Sequence, residues 1–254
     1  MSEREVMKMS VIIEVCSGSY HDCLMAYKGG AKRVELNSAL SLGGLTPSLA
    51  DLKLTKKHTD LNVVCMVRPR GAGFTYTDDE VEVMFESCKD LLEAGADGIA
   101  FGFLTNEHEI DVEKTKKMVE LIHSYGRTAV FHRAFDCCND GYKAIETLIA
   151  LGVDRILTSG MMEKAMQGMD FIKDIQMRFG DQIEILVGSG MNDTNVVEMV
   201  QTTNVKQVHS SCKGYLHDPT TFGKHVNYSY NGDDSYEVVL EEKVRKLVER
   251  VGNL

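Results

Sequence analysis

The amino-acid sequence predicts one α/β domain built as a (β/α)₈ barrel, the TIM-barrel architecture. Short apolar strands alternate with amphipathic helical stretches, and eight such units recur about every 28 residues. The length of 254 residues also suits a single barrel. A doubly wound open sheet is the main alternative, but Cys16-Ser17-Gly18-Ser19 after the first strand lacks the glycine-rich fingerprint of dinucleotide-binding folds.

A repeated segment marks the second, fourth and sixth strands of the predicted barrel. The stretches GAKRVEL, GADGIAF and GVDRILT each place a glycine at the end of a helix and a short apolar strand after it. Glycine ends helices because it adopts the left-handed conformation without strain. The intervening strands are predicted at residues 11–15, 61–67, 128–131, 183–187 and 205–208.

Helical periodicity predicts helices over residues 77–93, 111–125 and 162–179. The barrel core is expected at residues 11–212, within a single domain covering residues 1–254. A polar tail follows at 213–235, which could be mobile, form a lid or contact a second subunit. A last helix is predicted at 236–251, packed on the barrel wall.

Composition excludes several functional classes. A net charge of −10 disfavours nucleic-acid binding, because phosphate contacts dominate that affinity. Membrane association is not expected, since no apolar run reaches about 18 residues and the polar N-terminus does not resemble a signal peptide. Seven scattered cysteines, an odd number, indicate reduced thiols and a cytoplasmic location.

Polar residues collect at the predicted carboxyl ends of the strands, where barrels of this class carry their chemistry. Glu14 and Cys16 share one face of the first strand, and Glu35 and Asn37 share one face of the second. If those faces point inward, the carboxylates need cationic partners, and Arg68, Arg70, Arg133 and His132 are the expected ones. The same rim also carries Asp136, Ser159, Gly188, Gly190 and His209.

Two interpretations of this rim stay open. It could be a structural salt-bridge layer, or a pocket for a small anionic or phosphorylated metabolite. In the second interpretation Arg68, Arg70 and Arg133 hold the anion with Ser159 and His209. Glu14, Glu35 or His132 then transfers protons in an isomerase-, lyase- or aldolase-like reaction.

Two loops could support that chemistry. Arg133 and Asp136 would tune the pKa of His132 in opposite directions. Gly188-Ser189-Gly190 would offer backbone donors to an oxyanion, ahead of a helix opening at Asn192 or Asp193, although a simple tight turn would give the same pattern.

Metal binding rests on weaker residue patterns. Copper(I) prefers thiolate and thioether donors, and the chain has 7 Cys and 14 Met. No CxxC or short Cys/His cluster occurs, and the methionines near residue 165 are typical core filler. Cys16 is predicted as the most exposed thiol and the candidate metal ligand; no resident cofactor follows from the pattern. A scaffold contacted through the aromatic tail is a third alternative.

Several motifs together resemble one family. They are EVC at 14–16, GAKRVEL at 30–36, GGLTPS at 43–48, RPRG at 68–71, FHRAFD at 131–136, LTSG at 157–160 and HS at 209–210. In this order, over about residues 11–212, the chain resembles the CutC family, named for copper homeostasis. The resemblance implies a cytoplasmic TIM-type barrel, often a homodimer, with copper tolerance or copper(I) binding as its role. An enzyme acting on a small anion is the alternative.

The chain departs from that family pattern at two positions. Relatives commonly carry an aspartate where this sequence has Gly73, and often a cysteine where it has Asn37. The resemblance implies Cys16 and that second cysteine as a thiolate pair for copper(I). Here only Cys16 of the pair is present.

Overall fold

Eight parallel strands close into a barrel in chain order within the residues described by the computed structural model, which are 11–230, 232–252 and 254. The last strand pairs with the first, which completes the cylinder and confirms the predicted fold. The barrel strands are β1 (Ile12–Ser17), β2 (Arg33–Leu36), β3 (Asn62–Met66), β4 (Gly98–Phe101), β5 (Thr128–Phe131), β6 (Arg155–Thr158), β7 (Glu184–Val187) and β8 (Gln207–Ser210).

Helices follow the strands and cover the outside of the barrel. They are α1 (Tyr20–Lys28), α2 (Leu49–His58), α3 (Asp78–Glu93), α4 (Val112–Ser124), α5 (Gly141–Ala150), α6 (Met169–Phe179), α7 (Val196–Thr203) and α8 (Glu241–Gly252). Side-chain caps fix several N-termini. Thr77 and Glu80 form a reciprocal capping box at α3, and the Asp111 carboxylate accepts from the Lys114 N–H at α4.

Two predicted helices begin later than expected. The helix predicted at 162–179 starts at Met169, because Gly160 and Gly168 bring two backbone segments together. A Cβ on Gly168 would lie 2.2 Å from the Ser159 carbonyl oxygen, so the chain turns tightly there. The helix after β7 starts at Val196 instead of Asn192 or Asp193, since the Asn192 side chain accepts from the Thr194 N–H and forms a turn.

The predicted tail contains a two-stranded antiparallel sheet ahead of the last helix. β9 (Lys213–His217) pairs with β10 (Ser235–Val239), and we call residues 213–239 the arm. The predicted helix at 236–251 therefore begins at Glu241. The Val239 N–H donates to the Asp22 carboxylate on α1 at 2.8 Å, which anchors the arm to the barrel wall.

Apolar packing divides into two clusters. The larger lies between the strands and the helices, whereas a small one, formed by Val64, Met66, Ala100 and Val130, fills the barrel beside β3, β4 and β5. The interior beside β1, β2 and β8 instead contains charged and polar side chains. One half of the barrel is therefore apolar, and the other half carries the candidate site.

Among the described residues, no helix combines the length and hydropathy needed to cross a bilayer.

Candidate functional site

Glu14 is the centre of a buried charge network inside the barrel. Its carboxylate lies 2.6 Å from Arg33 Nε, 2.9 Å from His209 Nδ1 and 4.0 Å from Arg155 Nη1. Burial alone would raise the pKa of Glu14, but Arg33 and the hydrogen bond with His209 lower it to about 2. Glu14 is therefore ionised at neutral pH, with Arg33 beside one carboxylate oxygen and His209 beside the other.

The cationic partners of Glu14 differ from those predicted. Arg33 on β2 and Arg155 on β6 take the roles assigned to Arg68, Arg70, Arg133 and His132. Arg33 also donates to the Gln207 side chain at 2.5 Å, and Arg155 pairs with Glu184 at 2.6 Å. Arg33 and Glu35 share one face of β2, so period-two alternation could have identified Arg33 from the sequence.

Cys16, Glu35 and His209 form a second cluster, nearer the carboxyl ends of the strands. One ligand atom from each lies within 4.8 Å of the other two. His209 Nε2 is 4.0 Å from Glu35 Oε2, and the Asn37 amide donates to the same oxygen at 3.0 Å and to Cys16 Sγ at 3.6 Å. This geometry brings Glu14, Cys16 and Glu35 together, but not with the cations predicted to share their cavity, Arg68, Arg70, Arg133 and His132.

The three titratable groups of this cluster have shifted pKa values. Burial raises the pKa of Glu35, and the charge of Glu14 adds to the effect. Burial also raises the pKa of Cys16. Burial opposes protonation of His209, but hydrogen bonds with Cys16 and Glu14 and the charge of Glu35 raise its pKa well above the usual value. Two carboxylates in one cavity thus have pKa values pushed in opposite directions.

His132 and Arg68 lie beside β5 and β3, apart from the Glu14 network. The Ala134 N–H donates to His132 Nδ1 at 3.1 Å, so the neutral ring carries its proton on Nε2. Burial and the charge of Arg68 lower the pKa of His132 to about 3. The guanidinium of Arg68 donates to the carbonyls of Leu42, Gly44 and Ala72, which ties two loops together.

Asp136 organises a loop and does not tune His132 as predicted. Its carboxylate accepts from the Thr158 hydroxyl at 2.6 Å, from Ser159, and from the Met161 N–H. Arg133 Nε donates to the same carboxylate at 2.8 Å, and its Nη2 donates to the Ser159 hydroxyl at 2.7 Å. Asp136, Arg133 and Ser159 therefore join the β5 and β6 loops.

Three further predictions are corrected by the structure. Arg70 is 40% exposed at its side chain and pairs with Glu80 outside the barrel. The Gly188 N–H donates to the Thr158 carbonyl at 3.0 Å, so it is not free for an oxyanion. Ser189 and Gly190 both have a left-handed backbone in a tight turn, and the role of the Gly190 N–H as an oxyanion donor stays a prediction. The most exposed thiol is that of Cys137 and not, as predicted, that of Cys16, which is partly buried. All seven cysteines lie in the described residues and are free.

The donor set of the Cys16 cluster fits a copper ion. A thiolate and an imidazole are ligands that copper accepts, and a carboxylate adjoins them. Glu14 holds the other ring nitrogen of His209, the arrangement by which carboxylates orient metal-binding histidines. Binding would require deprotonation of Cys16 and His209, so it would release protons.

Comparisons with known proteins match this chain to one family. The CutC family model matches residues 11–214. A CutC family protein of Treponema denticola is 41% identical over 243 residues, which cover 94% of this chain and 98% of that protein.

One solved structure belongs to the same family, and another shares the barrel fold. A crystal structure of CutC from Streptococcus agalactiae is 33% identical, has a TM-score of 0.74, and covers 79% of this chain and 98% of its own. A monomeric form of phosphoribosylanthranilate isomerase from Thermotoga maritima has a TM-score of 0.56 at 10% identity, covering 96% of this chain and 100% of its own. That likeness concerns the barrel fold alone.

Proposed function

This chain belongs to the CutC family of copper homeostasis proteins, and from that premise we propose that it handles copper by binding a copper ion at Cys16 and His209. The observation that carries the proposal is the meeting of a thiol, an imidazole and a carboxylate within 4.8 Å inside one barrel. Glu35 supplies a third donor or balances charge. Glu14 fixes the ring of His209 so that its Nε2 faces the cluster.

Anaerobic titration with copper(I) in the presence of a competing copper(I) chelator tests the proposal. Cys16→Ser should weaken binding at least tenfold, because a soft thiolate is replaced by a hydroxyl. Cys137→Ser is the matched control, since Cys137 is exposed and distant from the cluster by its position in the β5 loop. Tight binding that survives in Cys16→Ser would refute the site.

An enzymatic role is the second candidate, and the opposed pKa shifts of Glu14 and Glu35 favour it. Such a pair suits proton transfer, with Glu35 as the acid and the ionised Glu14 orienting His209. A panel of phosphorylated sugars and keto acids in D₂O, followed by ¹H NMR, would reveal exchange at a substrate carbon. Glu35→Gln should abolish exchange that Cys137→Ser retains. Exchange unchanged by Glu35→Gln would remove this role.

The protein is further proposed to act in the cytoplasm as a homodimer. Free thiols at all seven cysteines, each in the described part of the chain, suit a reducing compartment. The arm begins where the family match ends and exposes Tyr228 and Tyr230 at 77% and 90%, a surface suited to a second subunit.

Light scattering after gel filtration tests the assembly. Tyr228→Ser combined with Tyr230→Ser should halve the measured mass. Met177→Ser, at a residue 76% exposed on α6, should not change it. A monomeric parent protein, or a dimer that keeps its mass in the double variant, would exclude this interface.

A further inference from the structure

Two buried donor atoms near the mouth of the barrel have no hydrogen-bond partner among the described residues. Arg68 is 6% exposed and His132 is 3% exposed, and the two atoms are Arg68 Nε and His132 Nε2. A buried donor without a hydrogen bond destabilises the folded protein, so both positions call for an acceptor. The acceptor is not a protein carboxylate: within the residues described, the Arg68 guanidinium donates to backbone carbonyls and also interacts with the Tyr76 hydroxyl.

Both donors are held in fixed orientations. The two Nη atoms of Arg68 donate to carbonyls of two loops, which fixes the guanidinium plane. The His132 ring is fixed through Nδ1 by the Ala134 N–H, and Gly102 leaves room for it. A Cβ at Gly102 would lie 2.5 Å from the ring. Because the orientation is set by other contacts, Nε and Nε2 remain available.

Phe74 lies beside both donor side chains and also lines an open cleft. Its ring centroid lies 5.0 Å from that of His132 and 5.1 Å from Arg68 Cζ. Phe74 also lines a cleft of about 490 Å³ together with Ala72, Leu104 and Asn106. That volume lies in the range of metabolite sites. Phe74 therefore adjoins both the buried donors and the cleft.

We propose that Arg68 and His132 bind the carboxylate of a small organic acid, whose body lies in the cleft behind Phe74. The site goes beyond the proposed copper function and uses neither Cys16 nor His209. A single cation beside a neutral imidazole N–H matches one negative charge. Burial keeps the pKa of His132 low, so the ring donates without adding a second charge.

Side-chain NMR of ¹⁵N-histidine-labelled protein tests the site with acetate as the probe. Acetamide is the matched control, because it has nearly the same shape without the charge. At constant ionic strength, acetate should shift the His132 Nε2 resonance in a saturable way, whereas acetamide should not. His132→Asn assigns the resonance. Equal responses to both probes, or shifts confined to His108 at the cleft rim, would overturn the proposal.

Two variants keep the proposal falsifiable if His132→Asn does not fold. Phe74→Ala should open the path and let the larger carboxylate benzoate bind at least tenfold more tightly than in the parent. Phe222→Ala, at an exposed phenylalanine of the arm, should leave benzoate binding unchanged. Benzoate affinity that is unchanged in Phe74→Ala would contradict the role of Phe74 in controlling access to the donors. Acetate binding retained in Cys16→Ser would separate this site from the copper site, and its loss there would count against independence.

Discussion

His209 Nδ1 lies 2.9 Å from Glu14 Oε1, and both side chains are buried inside the barrel. The contact joins β8 to β1, the two strands that close the cylinder, and the two residues are register partners there. It fixes which ring nitrogen of His209 faces Cys16 and Glu35. The same contact therefore serves the closure of the barrel and the geometry of the candidate copper site.

Glu14→Gln should destabilise the fold by about 3 kcal/mol, because it leaves Arg33 and His209 buried without their anion. Glu184→Gln is the control. Glu184 pairs with Arg155 but is half exposed, so its loss should cost less than about 1 kcal/mol. Urea unfolding at pH 7 measures both values. Similar losses of unfolding free energy in the two variants would show that the Glu14 network stabilises the fold no more than the Glu184–Arg155 pair does.

Asn37→Cys should strengthen copper(I) binding by roughly tenfold or more, since it adds a soft donor beside Cys16. The Asn37 amide nitrogen already lies 3.6 Å from Cys16 Sγ, so a second thiol would face the same point. Asn37→Ser controls for the lost amide. Anaerobic chelator competition gives the affinities, and equal values for the Cys and Ser variants would exclude a second thiolate ligand here.

His132 should make the protein less stable in acid. Its pKa is about 3 in the folded state against 6.5 for an ordinary histidine, so the unfolded chain takes up the proton first. Stability should therefore fall by about 2 kcal/mol between pH 7 and pH 5 through this group. In His132→Gln, the unfolding free energy measured with urea should lack this part of its dependence on pH. His225→Gln, at an exposed histidine, should keep the parental slope, and a slope unchanged in His132→Gln would contradict the assignment.

Gly102→Ala should destabilise the protein by about 2 kcal/mol or more, because its Cβ would lie 2.5 Å from the His132 ring and 2.8 Å from the Ala134 Cβ. Gly73→Ala is the matched control, since a Cβ there meets nothing within 4 Å. Thermal unfolding compares the two. A Gly102→Ala protein as stable as the parent would mean that the ring is free to move, which would also weaken the case for a fixed Nε2 donor.

The sequence determined the architecture and which of the key acidic residues share a strand face with which neighbours. Strand and helix periodicities are local, so the eight units could be read from short stretches such as GAKRVEL. Alternation along a strand also placed Glu14 with Cys16, and Glu35 with Asn37. These predictions succeeded because each depends on neighbouring residues only.

Only the tertiary structure decided which side chains meet. Glu14 faces Arg33 and His209 because β1 pairs with β2 and β8 in that register, and a shift of one residue would turn every side chain to the other side. The register depends on contacts between strands far apart in the chain. For the same reason the sequence did not show that Arg68 clamps two loops. Nor did it show that Arg68 Nε and His132 Nε2 find no acceptor in the part of the chain that the structure describes.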